Sequence, residues 1–270
     1  MEKIWLKEYP AGVPTEIDLN EFASLKDILE KSCQRFADLP AYSNVGVTLR
    51  YRDIDRLSRN FGAWLQARGL SKGDRVAIMM PNALQYPVAL FGALRAGLTV
   101  VNVNPLYTPR ELEHQLIDSG ATAIVIIENF AHTLQEVLAK TPVKTVITTE
   151  LGDLFSFPKR LLVNFVVKHV KKMVPAWNIS GAIPFRRVLS EGAKKTLNNV
   201  PLNHDDLAFL QYTGGTTGVS KGAMLTHGNM VANLQQASAW LKPFSKPAEE
   251  TIITALPLYH IFSLTANCLT

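Results

Sequence analysis

Long uninterrupted apolar runs are missing from this sequence. Its longest apolar stretch, residues 76–103, is broken by Pro81, Asn82, Gln85, Pro87 and Arg95, too often for a helix that crosses a membrane. The opening residues include Glu2, Lys3, Lys7 and Glu8 and no apolar core, so a secretory signal is not expected. Cysteine is scarce: Cys33 and Cys268 are the only two. They fit no metal-ligand or redox spacing, and two free thiols in a reducing cytoplasm are expected. Internal repeats and low-complexity tracts are also missing, which sets repeat architectures aside.

Acidic residues are absent from one segment in particular. Residues 154–190 hold seven basic side chains (Lys159, Arg160, Lys168, Lys171, Lys172, Arg186, Arg187) and no Asp or Glu. The rest of the chain has 21 basic and 23 acidic residues, so this segment alone accounts for the net charge of +5. A nucleic-acid binder would more often spread its basic residues over a domain face. No nucleic-acid partner is expected, and the charge points to something local. Core material is plentiful, with 47% hydrophobic and 19% charged residues, which is not a disordered composition. A length of 270 residues suits one large or two modest domains.

Apolar spacing predicts helices over 25–36 and 51–68, the second closed by Gly69. A buried strand over 76–80 stops at Pro81, a helix over 84–96 stops at Gly97, and a strand follows at 100–103. Thr108, Pro109 and Glu111 make a helix start: the threonine caps, the proline fits the first helical position, and the glutamate completes a capping box. That helix ends at Ser119-Gly120, and strands at 124–127 and 143–148 flank a helix at 132–140. Alternation of this kind, with continuously apolar strands, predicts an α/β fold whose mostly parallel sheet is layered with helices on both faces. The Pro- and Gly-punctuated stretch 175–184 is the candidate break before the next unit.

Residues 207–227 read LAFLQYTGGTTGVSKGAMLTH. A strand over 207–211 leads into a loop over 213–222 and a short strand over 223–226. The loop packs four glycines with Thr213, Thr216, Thr217, Ser220 and Lys221. Glycines let backbone N–H groups approach an anion, hydroxyls reach phosphate oxygens or a metal ion, and lysine adds a point charge. This is the composition of a polyphosphate cradle, whereas a plain turn needs no such set of hydroxyls. It is not a Walker loop, because Lys221 is followed by Gly222 and an apolar strand, and the dinucleotide pattern G-x-G-x-x-G is absent.

These residues resemble the phosphate-loop motif of the acyl-adenylate-forming (AMP-binding) superfamily. LPLYHIF at 256–262 resembles that family's second motif. PNALQYP at 81–87, VNVNPLYTPRELEHQL at 101–116 and the opening WLKEYPAGVPTEI are similar to bacterial long-chain fatty acid–CoA ligases. The resemblance covers essentially the whole chain. It implies the incomplete large N-terminal domain of an adenylate-forming enzyme, with a first α/β subdomain over 1–200 and the start of a second over 201–270. It implies activation of a fatty acid by ATP with Mg²⁺ to an acyl-adenylate, then transfer to coenzyme A. Tyr212, Thr213, Gly214, Gly215, Thr216, Thr217, Gly218, Val219, Ser220, Lys221, Gly222 and Ala223 would wrap the outer phosphates. Lys221 would be the mobile catalytic cation, and the Thr213 hydroxyl would join the metal site. His260 would line the passage where carboxylate meets nucleotide, although a histidine at a strand end is also an ordinary structural residue. Tyr259 and Phe262 would shape the acyl pocket or simply fill core. His204, Asp205, Asp206 and His227 are read as cap, turn or surface residues. The adenine pocket, the acidic metal ligand and the mobile C-terminal domain are expected beyond residue 270, so these residues alone are expected to be inactive. The resemblance is compatible with a homodimer.

Residues 159–174 (KRLLVNFVVKHVKKMV) read as a helix. Arg160, Asn164, Lys168, Lys171 and Lys172 fall on one side, with Leu161, Leu162, Phe165, Val166, His169, Val170 and Met173 on the remainder. Two arrangements fit. One is peripheral contact with an anionic membrane, the inner face of the cytoplasmic membrane, where each basic group adds about 1 kcal/mol. The other is a helix packed on the sheet with its lysines in solvent. Two other functions stay open: a ligase for another carboxylic acid, and a P-loop NTPase-type nucleotide module.

Overall fold

In the computed structural model, which describes residues 2–213, 220–246 and 248–270, the first long element is α1 (Leu25–Arg35). Ser24 caps it by accepting from the Asp27 amide. A hairpin of β1 (Pro40–Asn44) and β2 (Val47–Arg50) leads into α2 (Tyr51–Ala67). Strand and helix then alternate through β3 (Arg75–Met79), α3 (Gln85–Arg95), β4 (Thr99–Val103), α4 (Pro109–Ser119), β5 (Ala123–Ile127), α5 (Ala131–Val137) and β6 (Thr145–Thr149). After α6 (Lys159–Phe165) come the two-residue β7 (Ile183–Pro184) and α7 (Phe185–Gly192). The last elements are β8 (Leu207–Thr213), β9 (Lys221–Thr226), α8 (His227–Leu241) and α9 (Ile261–Ser263).

The larger sheet runs β7-β6-β5-β3-β4-β8-β9, parallel throughout except for the final β8–β9 pair. Residue alternation sends Val76, Ile78, Val125 and Phe209 into the core beneath α1, α2, α3, α7 and α8. Ala77, Met79, Val101 and Ile126 enter a second core with α4 and α5. Both faces are covered, which is why these strands read as unbroken apolar runs. The fold is therefore α/β, a mostly parallel sheet between helices. Residues 193–206 contain no helix or strand. Beyond them, β8 pairs with β4 in the same sheet.

The expected helix start at Thr108 is present in full. Its hydroxyl accepts from the Glu111 amide, the Glu111 carboxylate accepts from the Thr108 amide, and left-handed Gly120 closes α4. The helix expected over 159–174 is shorter than its pattern. After α6 the chain widens into a π-type turn over Val166–Val170, with the Lys171 amide donating to Val166 O at 2.7 Å. Lys172 has φ +52°, and Val174 precedes Pro175, a position that disfavours helix. The β1–β2 hairpin, β7, α7 and α8 were not expected. The hairpin strands mix polar and apolar residues, β7 is too short to show a period, and α8 buries few residues, among them Met230, Val231 and Leu234.

Candidate functional site

The glycine- and threonine-rich loop hangs between β8 and β9. Gly214, Gly215, Thr216, Thr217, Gly218 and Val219 lie outside the described residues, but both ends of the loop are described. Tyr212 pairs with Gly222 and Thr213 with Lys221 across the antiparallel strands. Ser220 Oγ donates to Thr213 O at 2.8 Å and draws the neck together. Thr213, Lys221 and Ala223 are exposed there, and Ser220 and Gly222 are half-buried. Lys221 has no ion-pair partner among the described residues. Tyr212 is buried, and its ring lies against Gly222, where an added Cβ would sit 2.9 Å from Tyr212 Cε2. Glycine is therefore required at 222 by close approach.

Helix α4 borders this neck. Tyr212 Oη donates to Asp118 Oδ2 at 2.5 Å, and His114 Nε2 donates to Ser220 O at 3.0 Å. Burial, followed by the hydrogen bond to the Asp118 carboxylate, raises the Tyr212 phenol well above its usual range and keeps it a donor.

The second motif is held beside β8 by buried polar contacts. Tyr86 Oη shares its proton between Asn102 Oδ1 (2.8 Å) and Leu258 O (2.9 Å). Asn102 Nδ2 donates to Gln211 Oε1 (3.0 Å), and Gln211 Nε2 donates to Tyr259 O (3.0 Å). Asn82, three residues past β3, accepts from the Leu258 amide at 2.8 Å and donates to Thr254 O and Leu256 O. Thus the PNALQYP run and the LPLYHIF run, far apart in sequence, meet next to the strand that opens the loop. His260 is exposed, and its Nδ1 accepts from the Phe262 amide at 3.4 Å, capping α9. Phe262 is exposed, Tyr259 is half-buried and Leu258 is core.

His227, read as a cap, turn or surface residue, is not on the surface. It is fully buried, with Nδ1 accepting from the Leu25 amide at 3.2 Å, and burial lowers its pKa to about 4. Its three companions are structural as expected. His204 Nε2 donates to Phe22 O, the Asp205 amide binds Asn203 Oδ1 in a turn, and Asp206 pairs with Lys72 at 2.8 Å. Among the described residues, no three His, Cys, Asp or Glu side chains cluster to hold a metal ion.

The basic segment sits on the surface and turns both polar and apolar residues inward. Asn164 turns inward, donating to Glu150 Oε2 and accepting from the Gly152 amide, both at 2.7 Å. Lys168 pairs with buried Glu128 at 3.2 Å, and Lys159 donates to Val45 O. Burial pushes the Glu128 carboxyl upward, and Lys168 partly offsets it. Leu161, Leu162, Phe165 and Val170 remain 52–64% exposed, while Val163 packs against the core and Val166 and Val167 are half-buried, so the segment turns only part of its apolar side inward. No helix among the described residues is long and apolar enough to cross a membrane.

Residues 29–270 match the family model described as AMP-binding enzyme. The chain is 59% identical over its full length to a long-chain-fatty-acid–CoA ligase of Escherichia coli O157:H7, covering 48% of that protein. It is 36% identical over 98% of its length to the Bacillus subtilis (strain 168) ligase of the same name, covering 47% of it. A crystal structure of a long-chain-fatty-acid–CoA ligase from Archaeoglobus fulgidus superposes with TM-score 0.72 at 25% identity, over 96% of this chain and 46% of that one. The chain spans about half the length of the curated relatives it matches.

Proposed function

The chain belongs to the AMP-binding enzyme family, and on that premise we propose that the longer protein it matches is an ATP-dependent long-chain fatty acid–CoA ligase. In the first step a carboxylate oxygen attacks the α-phosphorus of ATP, the bond to the β-phosphate breaks, and pyrophosphate leaves. In the second, the coenzyme A sulfur attacks the acyl carbon, AMP leaves, and the thiol proton passes to solvent. The observation that carries this reading is the neck of the β8–β9 loop. It presents Thr213, Ser220 and Lys221 where the Tyr86–Asn102–Gln211 chain brings residues 256–262 alongside.

Such a site works mainly by positioning and by neutralising charge that develops on the phosphates. We assign Tyr212 to Ala223, through the glycines and threonines of 214–218 and Val219, to the outer phosphates, with Lys221 as the cation that follows them. His260, exposed at the head of α9, is assigned to the meeting point of carboxylate and nucleotide. Thr213 offers one exposed hydroxyl oxygen. Mg²⁺ tolerates so small a protein contribution because it keeps waters and takes phosphate oxygens. Thr213 would hold it there together with an acidic residue outside these 270. Bound Mg²⁺ would neutralise phosphate charge. The start of a second subdomain at 201 remains part of this reading.

The test is pyrophosphate exchange by the full-length enzyme with oleate. Lys221→Ala should slow adenylate formation at least a hundredfold while leaving thermal stability within about 0.5 kcal/mol, since an exposed lysine carries little stability. Equal loss of activity and stability would assign Lys221 a structural role. ADP in place of AMP as product would favour the NTPase reading, and a panel of carboxylic acids would expose a different substrate.

We also propose that α6 and the turn after it rest on an anionic membrane surface. Outward Leu161, Leu162, Phe165 and Val170 beside exposed Lys171 and Lys172 support this, as does the insolubility of the acid to be collected.

A further inference from the structure

Resting on the phosphate-loop reading, we propose that α4 is the mount of that loop. His114 and Asp118 are positioning residues that hold its two ends and set its affinity for the triphosphate. They stand one helical turn apart, on the same side of α4. Asp118 accepts from Tyr212 Oη, just before the loop, and His114 donates to Ser220 O, just after it. One short rigid element therefore grips both strands of the neck.

The mount is itself well fixed. A capping box starts α4, and left-handed Gly120 ends it. Leu112 and Leu116 are fully buried against the sheet, and Gln115 Nε2 donates to Asn102 O of β4 at 2.9 Å. Asn102 in turn bonds Gln211, the residue before Tyr212. On its other side the Tyr212 ring packs against Gly222, which has no Cβ to crowd it, and its hydroxyl reaches Asp118 of α4.

A carboxylate beside a polyphosphate site weakens anion binding by charge alone. Asp118 is tolerable there because its lone pair is engaged by Tyr212. Holding both ends of the loop fixes where Thr213, Ser220 and Lys221 stand before a ligand arrives, which removes part of the ordering cost of binding it. The clasp should therefore appear in ATP affinity and leave the acyl and thiol subsites alone.

The experiment uses the full-length enzyme and measures KM separately for ATP, oleate and coenzyme A, together with kcat and melting temperature. His114→Ala and Asp118→Ala should each raise KM for ATP about tenfold, the value of one well-formed hydrogen bond to a fixed partner. KM for oleate and for coenzyme A should stay within about twofold. His114→Gln keeps an amide donor and Asp118→Asn keeps an acceptor, so both should return KM for ATP to within about threefold of the parent. The double alanine variant should cost less than the product of the single effects, because a loop freed at one end gains less from its other tether. Lys221→Ala is measured alongside. If it impairs ATP use while the α4 variants do not, the mount is refuted and the phosphate-loop reading stands. If Lys221→Ala leaves ATP use intact, that reading fails and the mount with it. A parallel rise in all three KM values with a lowered melting temperature, or no recovery in the Gln and Asn variants, refutes the positioning role.

Discussion

Titratable groups in this protein separate by what surrounds them, and His227 shows it best. Its ring is sealed beneath α1, with Nδ1 accepting from the Leu25 amide and burial lowering its pKa to about 4 from 6.5. The unfolded chain takes up this proton near pH 6.5 and the folded chain only near pH 4. Its contribution to stability is therefore intact above about pH 6.5 and is lost as pH falls toward 4, by up to about 3 kcal/mol. His227→Asn keeps an acceptor for Leu25 but does not titrate. Urea melts of the full-length protein should show a shallower fall in stability between pH 6.5 and 4 for this variant, and an unchanged slope would reject the assignment. The sequence made Lys221 and Thr213 legible because a glycine- and hydroxyl-rich loop has few other uses. It hid Asp118, His114 and Asn82, whose partners Tyr212, Ser220 and Leu258 lie 94, 106 and 176 residues away. Nothing local marks such residues. Their roles exist only once the sheet has formed.

Elements with a strong local signal were readable within a residue or two. The four strands β3 to β6 are buried runs, and α4 carries its cap and its stop in its own letters. The basic segment was legible as a helix but not in its orientation. An amphipathic pattern fixes which residues share a side, and only the partners decide which side turns inward. Here Glu150 and Glu128 claim Asn164 and Lys168, leaving Leu161, Leu162, Phe165 and Val170 outward. Membrane docking through that side makes a prediction separable from the proposed ligase chemistry. In flotation with phosphatidylglycerol-containing vesicles, the full-length protein should bind. Phe165→Ser with Lys171→Glu and Lys172→Glu should reduce binding at least tenfold, while adenylate formation from a water-soluble short-chain acid stays unchanged. Binding that survives these changes would mean that α6 is not the contact.

At the scale of the whole molecule, the parallel sheet sets where chemistry can occur, because the segments that follow its parallel strands emerge at one edge. Asn82 follows β3, Thr213 ends β8, and the polar chain from Tyr86 through Asn102 to Gln211 crosses the sheet between them. Asn82 alone makes three hydrogen bonds to residues 254, 256 and 258, so the second motif's placement depends on a residue of the first half of the chain. Asn82→Ala leaves the amide of buried Leu258 without its acceptor, a loss of about 1–3 kcal/mol. The loss should be local before it is global. In hydrogen exchange of the full-length protein, amides of 254–263 should lose protection while those of β3, β4 and β5 keep theirs. Uniform loss across the sheet would make Asn82 a general fold residue. Local loss accompanied by a slower first step would tie motif placement to the loop through the β8 strand that both share.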